Sequence, residues 1–445
     1  MRRSGGFDGA RDPAIATPRL GRALWPIYAD RAIAGLLVAW IFISNEALIP
    51  LLLKGTEERM TAADEAILRY LLLPGVGLAF GLAALSPWRT TDLLVRNPFV
   101  PLLTIWVWLS VFWSVDPALS ARRALAFTTY TVLAVHLVMR FSPPRLIFWL
   151  CVVFMTQLIM SVVFAVAVPR LAWMAEAGQL RGIFVHKNSL GAYLLWSAAT
   201  LAATWPDRVI PRWAAVLGML LVLSLVLPTQ SATALGLIVV LAALLVLVMV
   251  LRLPAHLAAI LLFLGITVAT LLAAVVILYP QIVLQLLGRD ATLTGRAQLW
   301  AFVDHLIAQR PVLGYGYKAM FAQPWVDHWV VDALGWDAPH AHNGYREIIL
   351  DLGFVGLFLV LPILLGTLIV AVRRLIARPD TPALFAFLVI TGYLLRNLTE
   401  SDLLHHTNLV WVMVVIASYH MLGLPRPEAA AGEASGRRPA GVLPR

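Results

Sequence analysis

Hydrophobic residues along this chain come in long blocks, and the polar ones gather in the intervals between them. Apolar runs of roughly 17 to 25 residues have the length at which a helix crosses about 30 Å of hydrocarbon. Within lipid the backbone must satisfy its own hydrogen bonds, so each run reads as a helix. The pattern predicts about twelve spans, at 32–53, 71–88, 100–115, 122–140, 145–168, 189–206, 211–228, 232–251, 255–279, 346–372, 381–397 and 408–423. The third is short and interrupted by polar neighbours.

The intervals sort by charge. Arg2, Arg3, Arg11, Arg19, Arg22 and Arg31 precede the first span, which begins near residue 32 and is long enough to act as a signal anchor rather than a cleaved peptide. The positive-inside bias then holds the N-terminus in the cytoplasm, and twelve crossings return the C-terminus to the same side. Arg140 and Arg145, Arg208 and Arg212, Arg252, and Arg373, Arg374 and Arg378 fall on that side as well. The first opposite loop, KGTEERMTAADEAILR, carries Glu57, Glu58, Asp64 and Glu65. The expected fold is an all-α polytopic membrane protein of about 12 transmembrane helices with a long, partly helical periplasmic loop.

The expected organisation is a disordered cytoplasmic tail at 1–25, transmembrane helices 1–9 within 26–279, a periplasmic loop domain at 280–345, helices 10–12 within 346–423 and a second disordered cytoplasmic tail at 424–445. Both tails are rich in Pro, Gly, Ala and Arg and lack periodicity. The 280–345 interval is too long for a plain connection, and a loop of that length folds or functions. Within it TGRAQLWAFVDHLIAQRP reads as an amphipathic helix opened by Thr294 and closed before Pro311, with a stripe of Leu299, Phe302, Val303, Leu306 and Ile307. Arg296 falls in its first turn, on or beside that stripe. No internal repeat is evident.

Composition agrees with the pattern. Of 445 residues 60% are hydrophobic and 13% charged, with a mean hydropathy of +0.83, which excludes a water-soluble globule. The net charge of +10 resides largely in the topogenic arginines, spread singly rather than gathered into a basic face, so no nucleic-acid partner is expected. The single cysteine, Cys151, sits in an apolar span and supports neither a disulfide framework nor a cysteine metal site.

Three polar stretches on the same expected face remain unexplained by topology: RGIFVHKN at 181–188, GRDATLTGR at 288–296 and PHAHNGYREIILDLG at 339–353. A lone Arg or His at a helix end is more often an interfacial anchor. Several ionisable groups together beside apolar helices cost a few kcal/mol even on mild insertion scales and call for a function. One ligand accounts for all three: a lipid-linked pyrophosphate, with its charge at headgroup depth and its tail in hydrocarbon. Arginine binds phosphate oxygens through two parallel hydrogen bonds and stays protonated, and histidine titrates where a base for an incoming hydroxyl must.

RGIFVHKNSLGAYL, LTGRAQLWAFVDHLIAQRPVLGYGY and HAHNGYREIILDLGFVGL resemble the three signature stretches of the bacterial O-antigen ligase and polymerase family, over roughly residues 170–420. The resemblance implies a metal-independent, inverting glycosyltransferase without cofactors, in the bacterial inner membrane with its active site facing the periplasm. Its donor would be an undecaprenyl-pyrophosphate-linked glycan, and its acceptor a sugar hydroxyl on a lipid-linked repeat unit or on lipid A core. Arg181 and Arg296 would hold the pyrophosphate and His342 would be the base, with His340 the competing choice. His186, Lys187, Asn188, Arg289, His340 and Asn343 are the expected substrate-binding residues, with Asn343 also placed to cap the next helix. Polymerisation of exopolysaccharide or O-antigen repeats is the leading activity. Ligation to lipid A core is the alternative, then protein O-glycosylation, and a transporter or flippase is the rival from another class.

Lesser signals read as structural. Gly314 and Gly316 in LGYGYK suit a turn better than a phosphate cradle. Glu347 and Asp351, one helical turn apart, suit partners of Arg346 or of the binding loop. RNLTESDLLHHTN at 396–408 offers Arg396, Glu400, Asp402, His405 and His406 on the outer side, as a solvated loop or for sugar or acceptor contacts, with a metal the weakest of its readings. No GxSxG, Walker or dinucleotide-binding pattern occurs.

Overall fold

The apolar blocks form helices whose ends are set by proline and by short polar caps. In the computed structural model the described residues are 35, 47–55, 62–174, 178–278, 296–335, 338–405 and 409–423. All of these except Gly35 belong to one unit. The helices are α1 Ile49–Lys54, α2 Ala62–Leu85, α3 Pro87–Arg96, α4 Phe99–Leu109, α5 Pro117–Arg140, α6 Pro143–Ala167, α7 Lys187–Ala203, α8 Arg212–Thr229, α9 Ala232–Val250, α10 Ala255–Leu278, α11 Arg296–Gln309, α12 Pro324–Leu334, α13 Gly344–Ala377, α14 Thr381–Arg396 and α15 Leu409–Ser418. Proline opens α3, α5, α6 and α12, where its missing N–H costs nothing. Asp116, Ser231, Asn343 and Asp380 each accept a backbone N–H from the first turn of the helix they precede.

Among the described residues four helices are long and apolar enough to cross a bilayer: α6, α8, α9 and α13. The pair α3 and Phe99–Trp113, bent by 99° at its break, makes a fifth if it is one span, and shorter apolar helices lie at Leu73–Leu85, Ala255–Thr267, Thr381–Arg396 and Leu409–Gly423. The chain is thus a multi-pass, predominantly helical membrane protein. Several expected limits shift. Helix α2 begins at Ala62, so the acidic ADEA segment expected in a loop forms its first turns. The interrupted third span is α4 tightened into a 3-10 turn, Ser110–Trp113, and it bends away from α3 where Asn97–Pro98 stops the preceding helix. Most of the first expected span, residues 280–295 with Arg289 and Thr294, and both expected tails lie outside the described residues.

Helix α7 is the centre of the bundle and packs against α6, α8, α9 and α14. Its residues Leu190–Leu201 are buried, as is every residue of α15. Beside the bundle, α11 and α12 close a small lobe over Leu299, Val303, Leu306, Met320, Val326 and Val330, with Phe302 and Ile307 partly buried at its edge. Every residue of the stripe read from the sequence faces this core.

The lobe joins the bundle through a break in α13. Gly353 has φ 67° and ψ −175° inside an otherwise continuous helix, which removes the intrahelical donors for the carbonyls just before it. Each carbonyl finds a replacement. Tyr315 N–H donates to Leu350 O at 2.8 Å and Gly316 N–H to Asp351 O at 2.9 Å, while Trp106 Nε1 donates to Leu352 O at 3.0 Å. Phe354 N–H donates in turn to Pro311 O at 2.8 Å. The LGYGY turn is therefore a backbone strap on the broken helix, and a Cβ at Gly314 would lie 2.6 Å from Asp351 C.

A Cβ on Gly353 would stand 1.8 Å from Val312 O as well as at positive φ. Gly353→Ala is expected to destabilise the protein by about 2 kcal/mol or more, read as a fall in the thermal midpoint in detergent. Gly236→Ala, where no atom lies within 4 Å, should leave that midpoint unchanged or raised, by up to about 1 kcal/mol.

Candidate functional site

Five separate parts of the chain bring polar residues to one place, around a cavity of about 810 Å³. Lys54 closes α1 and His186, Asn188 and Ser189 open α7, with Tyr193 and Trp196 deeper along the same helix. Arg296 opens α11, Pro339, His340 and His342 precede α13, Arg396 closes α14, and Glu400, Ser401, Asp402 and His405 follow it.

The turn before α13 is built by its cap. Asn343 Oδ1 accepts the Arg346 N–H at 3.0 Å, its Nδ2 donates to Leu398 O at 3.3 Å and its N–H donates to Ser401 Oγ at 3.2 Å. Gly344 N–H is shared by the carbonyls of Asn397 and Glu400, both at 2.9 Å. These bonds tie the HN turn to the 397–401 segment, and His342 takes φ 49° to make it, a conformation histidine adopts more readily than most residues.

That docking places a carboxylate beside the histidine. His342 Nδ1 lies 3.3 Å from Glu400 Oε2, and Arg296 Nη2 lies 3.9 Å from Glu400 Oε1. Arg296 also donates through Nη1 to Thr399 O at 3.0 Å. Burial alone would raise the Glu400 carboxyl, but the His342 hydrogen bond and the Arg396 charge overcome it and hold it down to about 2. His340 is different: burial, with His342 adding to it, pushes its imidazole down to about 4, and its Nδ1 accepts the His342 N–H at 3.3 Å. The two rings are 4.1 Å apart. At neutral pH His340 is thus a neutral hydrogen-bond acceptor, whereas His342 has an anion against its ring.

The other sequence-derived residues divide. His186 lines the cavity and caps α7, its Nδ1 accepting the Asn188 N–H at 3.2 Å. Asn188 lines the cavity and approaches Ser231 Oγ at 3.5 Å. Lys187 is the first residue of α7 and is not among the lining residues, and Asn343 serves the turn. Arg181 also stands outside the lining. Its Nε donates to Leu171 O at 2.7 Å, its Nη1 to Val185 O at 3.3 Å and its Nη2 to Gly55 O at 3.3 Å, so the guanidinium ties the connection before α7 to the residue after Lys54. The expectation that Arg181 and Arg296 face one ligand together is not met in this arrangement: Arg181 is used up on carbonyls, and Lys54 takes the place beside the cavity.

Lys54 and the Glu400 role went unseen in the sequence. Lys54 reads as the end of an apolar span, and Glu400 is 58 residues from His342, a separation over which no local pattern acts. Glu347 and Asp351 bind the loop rather than Arg346, which pairs with Asp304 at 2.8 Å. Lys318 Nζ forms a buried ion pair with Glu347 and lies 3.7 Å from Asp351 Oδ2. Asp402 pairs with Arg396. His340, His342 and Glu400 each bring one ligand atom to within 4.8 Å of the others, residue types that suit a divalent ion, although the Arg296 guanidinium already stands against the same carboxylate.

The arrangement combines a cationic rim, from Lys54 and Arg296, with an imidazole oriented by a carboxylate. A cation pair that suits phosphate and a base positioned over the same cavity are the parts of a group transfer from a phosphate leaving group. The sequence model of the O-antigen ligase family matches residues 216–361. The exopolysaccharide production protein ExoQ of Rhizobium meliloti (strain 1021) is 26% identical over 322 residues, covering 68% of this chain and 71% of that protein. The motifs, the matched stretch and the relative all make the chain similar to the O-antigen ligase/polymerase family.

Proposed function

We propose that this protein transfers a glycan from an undecaprenyl-pyrophosphate carrier to a sugar hydroxyl at the periplasmic face of the inner membrane, polymerising exopolysaccharide or O-antigen repeat units. The observation that carries the reading is the His342–Glu400–Arg296 contact set on one cavity wall. The match of residues 216–361 to the O-antigen ligase family supports glycosyl transfer. The likeness to an exopolysaccharide production protein supports polymerisation, and the O-antigen ligase description of the matched family keeps ligation to lipid A core as the second reading.

In this scheme Arg296 and Lys54 neutralise the diphosphate. Glu400 accepts a hydrogen bond from the Nδ1–H of His342, which keeps the proton on Nδ1 and leaves Nε2 to take the proton of the acceptor hydroxyl. The acceptor oxygen attacks the anomeric carbon from the face opposite the diphosphate, the bond to phosphate oxygen breaks, and the electron pair departs on the carrier. Configuration inverts, and the cations replace a metal as the stabiliser of the leaving charge. Arg181 shapes the rim and presents Lys54. The twelve-span topology with both tails cytoplasmic and residues 280–345 as a periplasmic loop domain belongs to the same proposal.

Purified protein given a radiolabelled lipid-linked repeat should lengthen chains in the absence of lipid A core. Product formed on core alone would reject polymerisation in favour of ligation. His342→Ala should lower turnover by about 10²- to 10⁴-fold, the range of a lost general base, and leave donor binding largely intact. Arg296→Lys and Lys54→Met should raise the donor KM, since a point charge lacks the guanidinium fork and a thioether lacks charge altogether. Arg181→Ala should instead reduce the yield of folded protein in detergent. Chelators should leave the rate unchanged, and an inhibition reversed by zinc or magnesium would point to a metal on His340, His342 and Glu400.

A further inference from the structure

The peptide between the two site histidines is gripped from both ends by side chains that lie outside the cavity lining. Ala341 N–H donates to Glu347 Oε2 at 3.1 Å, and Ala341 O accepts from Trp300 Nε1 at 3.0 Å. Ala341 is fully buried, so neither group has water as a substitute partner. Trp300 lies four residues after Arg296, on the same face of α11. Arg346 stacks over the Trp300 ring at 4.8 Å and is fixed there by a two-pronged contact with Asp304 of α11, at 2.8 and 3.1 Å. On the other side, Glu347 is 5% exposed and is held by Lys318, whose own carbonyl accepts from Arg123 Nη1.

From this we infer that Trp300 and Glu347 are positioning residues, which clamp the Ala341 peptide and thereby hold His342 against Glu400 at a set separation from Arg296. The inference rests on the reading of His342 as base and adds how its place is maintained. A single rigid path runs from the arginine through one turn of α11 to the indole N–H, and from there to the carbonyl of the residue before His342. A positive-φ residue such as His342 stays in that conformation only when its surroundings over-determine it. The clamp supplies that determination from the N-terminal side as the Asn343 and Gly344 bonds do from the other.

The test compares steady-state transfer from the lipid-linked repeat for full-length variants normalised to folded, monodisperse protein. Trp300→Phe keeps the ring over which Arg346 stacks and removes the N–H. It should lower kcat by about tenfold or more, in line with the effect of small misplacements of a catalytic group, with the donor KM within about twofold. In a His342→Ala background the same change should have no further effect, because a residue acting through His342 has nothing left to position. Glu347→Gln should lower kcat by leaving Lys318 poorly paired, and adding Lys318→Met should restore most of the loss, since the amide oxygen still accepts the Ala341 N–H. The pair of Glu347 variants decides the matter if Trp300→Phe folds poorly.

Wild-type kcat in Trp300→Phe, an undiminished Trp300→Phe effect in the His342→Ala background, or a double variant no better than Glu347→Gln would each overturn the clamp. Full activity in His342→Ala would instead overturn the assignment of the base, a result distinct from all three.

Discussion

An apolar bundle tolerates an interrupted helix only if every freed backbone group finds a partner, and this constraint organises the molecule around Gly353. The break in α13 leaves three successive carbonyls, of Leu350, Asp351 and Leu352, without helical donors. Two are taken by the LGYGY strap and one by the indole of Trp106. Because unpaired polar groups in a lipid-surrounded interior cost several kcal/mol each, the strap has little freedom to sit elsewhere. Once it is fixed, Lys318 follows as the next residue and meets Glu347 and Asp351 on the first turns of the same helix.

The polar chemistry is built outward from this joint. Lys318 and Glu347 form a buried pair whose individual charges would be costly without each other, and the second oxygen of Glu347 reaches the peptide between His340 and His342. Glu400 does the matching work at the cavity wall, where one carboxylate meets both the His342 imidazole and the Arg296 guanidinium. Its ionisation is maintained well below the usual carboxylate range despite burial, so the imidazole has a permanent anionic partner. The two histidines of HAHN differ for the same reason: one is desolvated beside a cation-forming neighbour, the other is paired.

How much was legible from the residues depends on the range of the interaction. The amphipathic stripe of α11, the cap by Asn343 and the structural role of the GxG turn are set within a few residues, and they stand as read. The likeness to the O-antigen ligase/polymerase family rests on three ordered motifs and needs no geometry. Local pattern did not show that Arg181, whose guanidinium suits phosphate and carbonyl oxygens alike, donates to three carbonyls, nor that the acidic segment starts α2.

Hydrophobic length, helical period and capping act along the chain, so the membrane, the helices and the polar stretches beside them could be read from the residues alone. Only the tertiary structure decided that Lys54 rather than Arg181 borders the cavity, that Glu400 pairs with His342 rather than lying in a solvated loop, and that Trp300 and Glu347 hold the peptide between the histidines. Apart from the Glu347–Ala341 bond, which spans 6 positions, these contacts pair residues 41 and 58 positions apart. Their existence depends on where the packing of α7, α13 and α14 brings the chain ends together, and a one-dimensional pattern carries no record of that convergence.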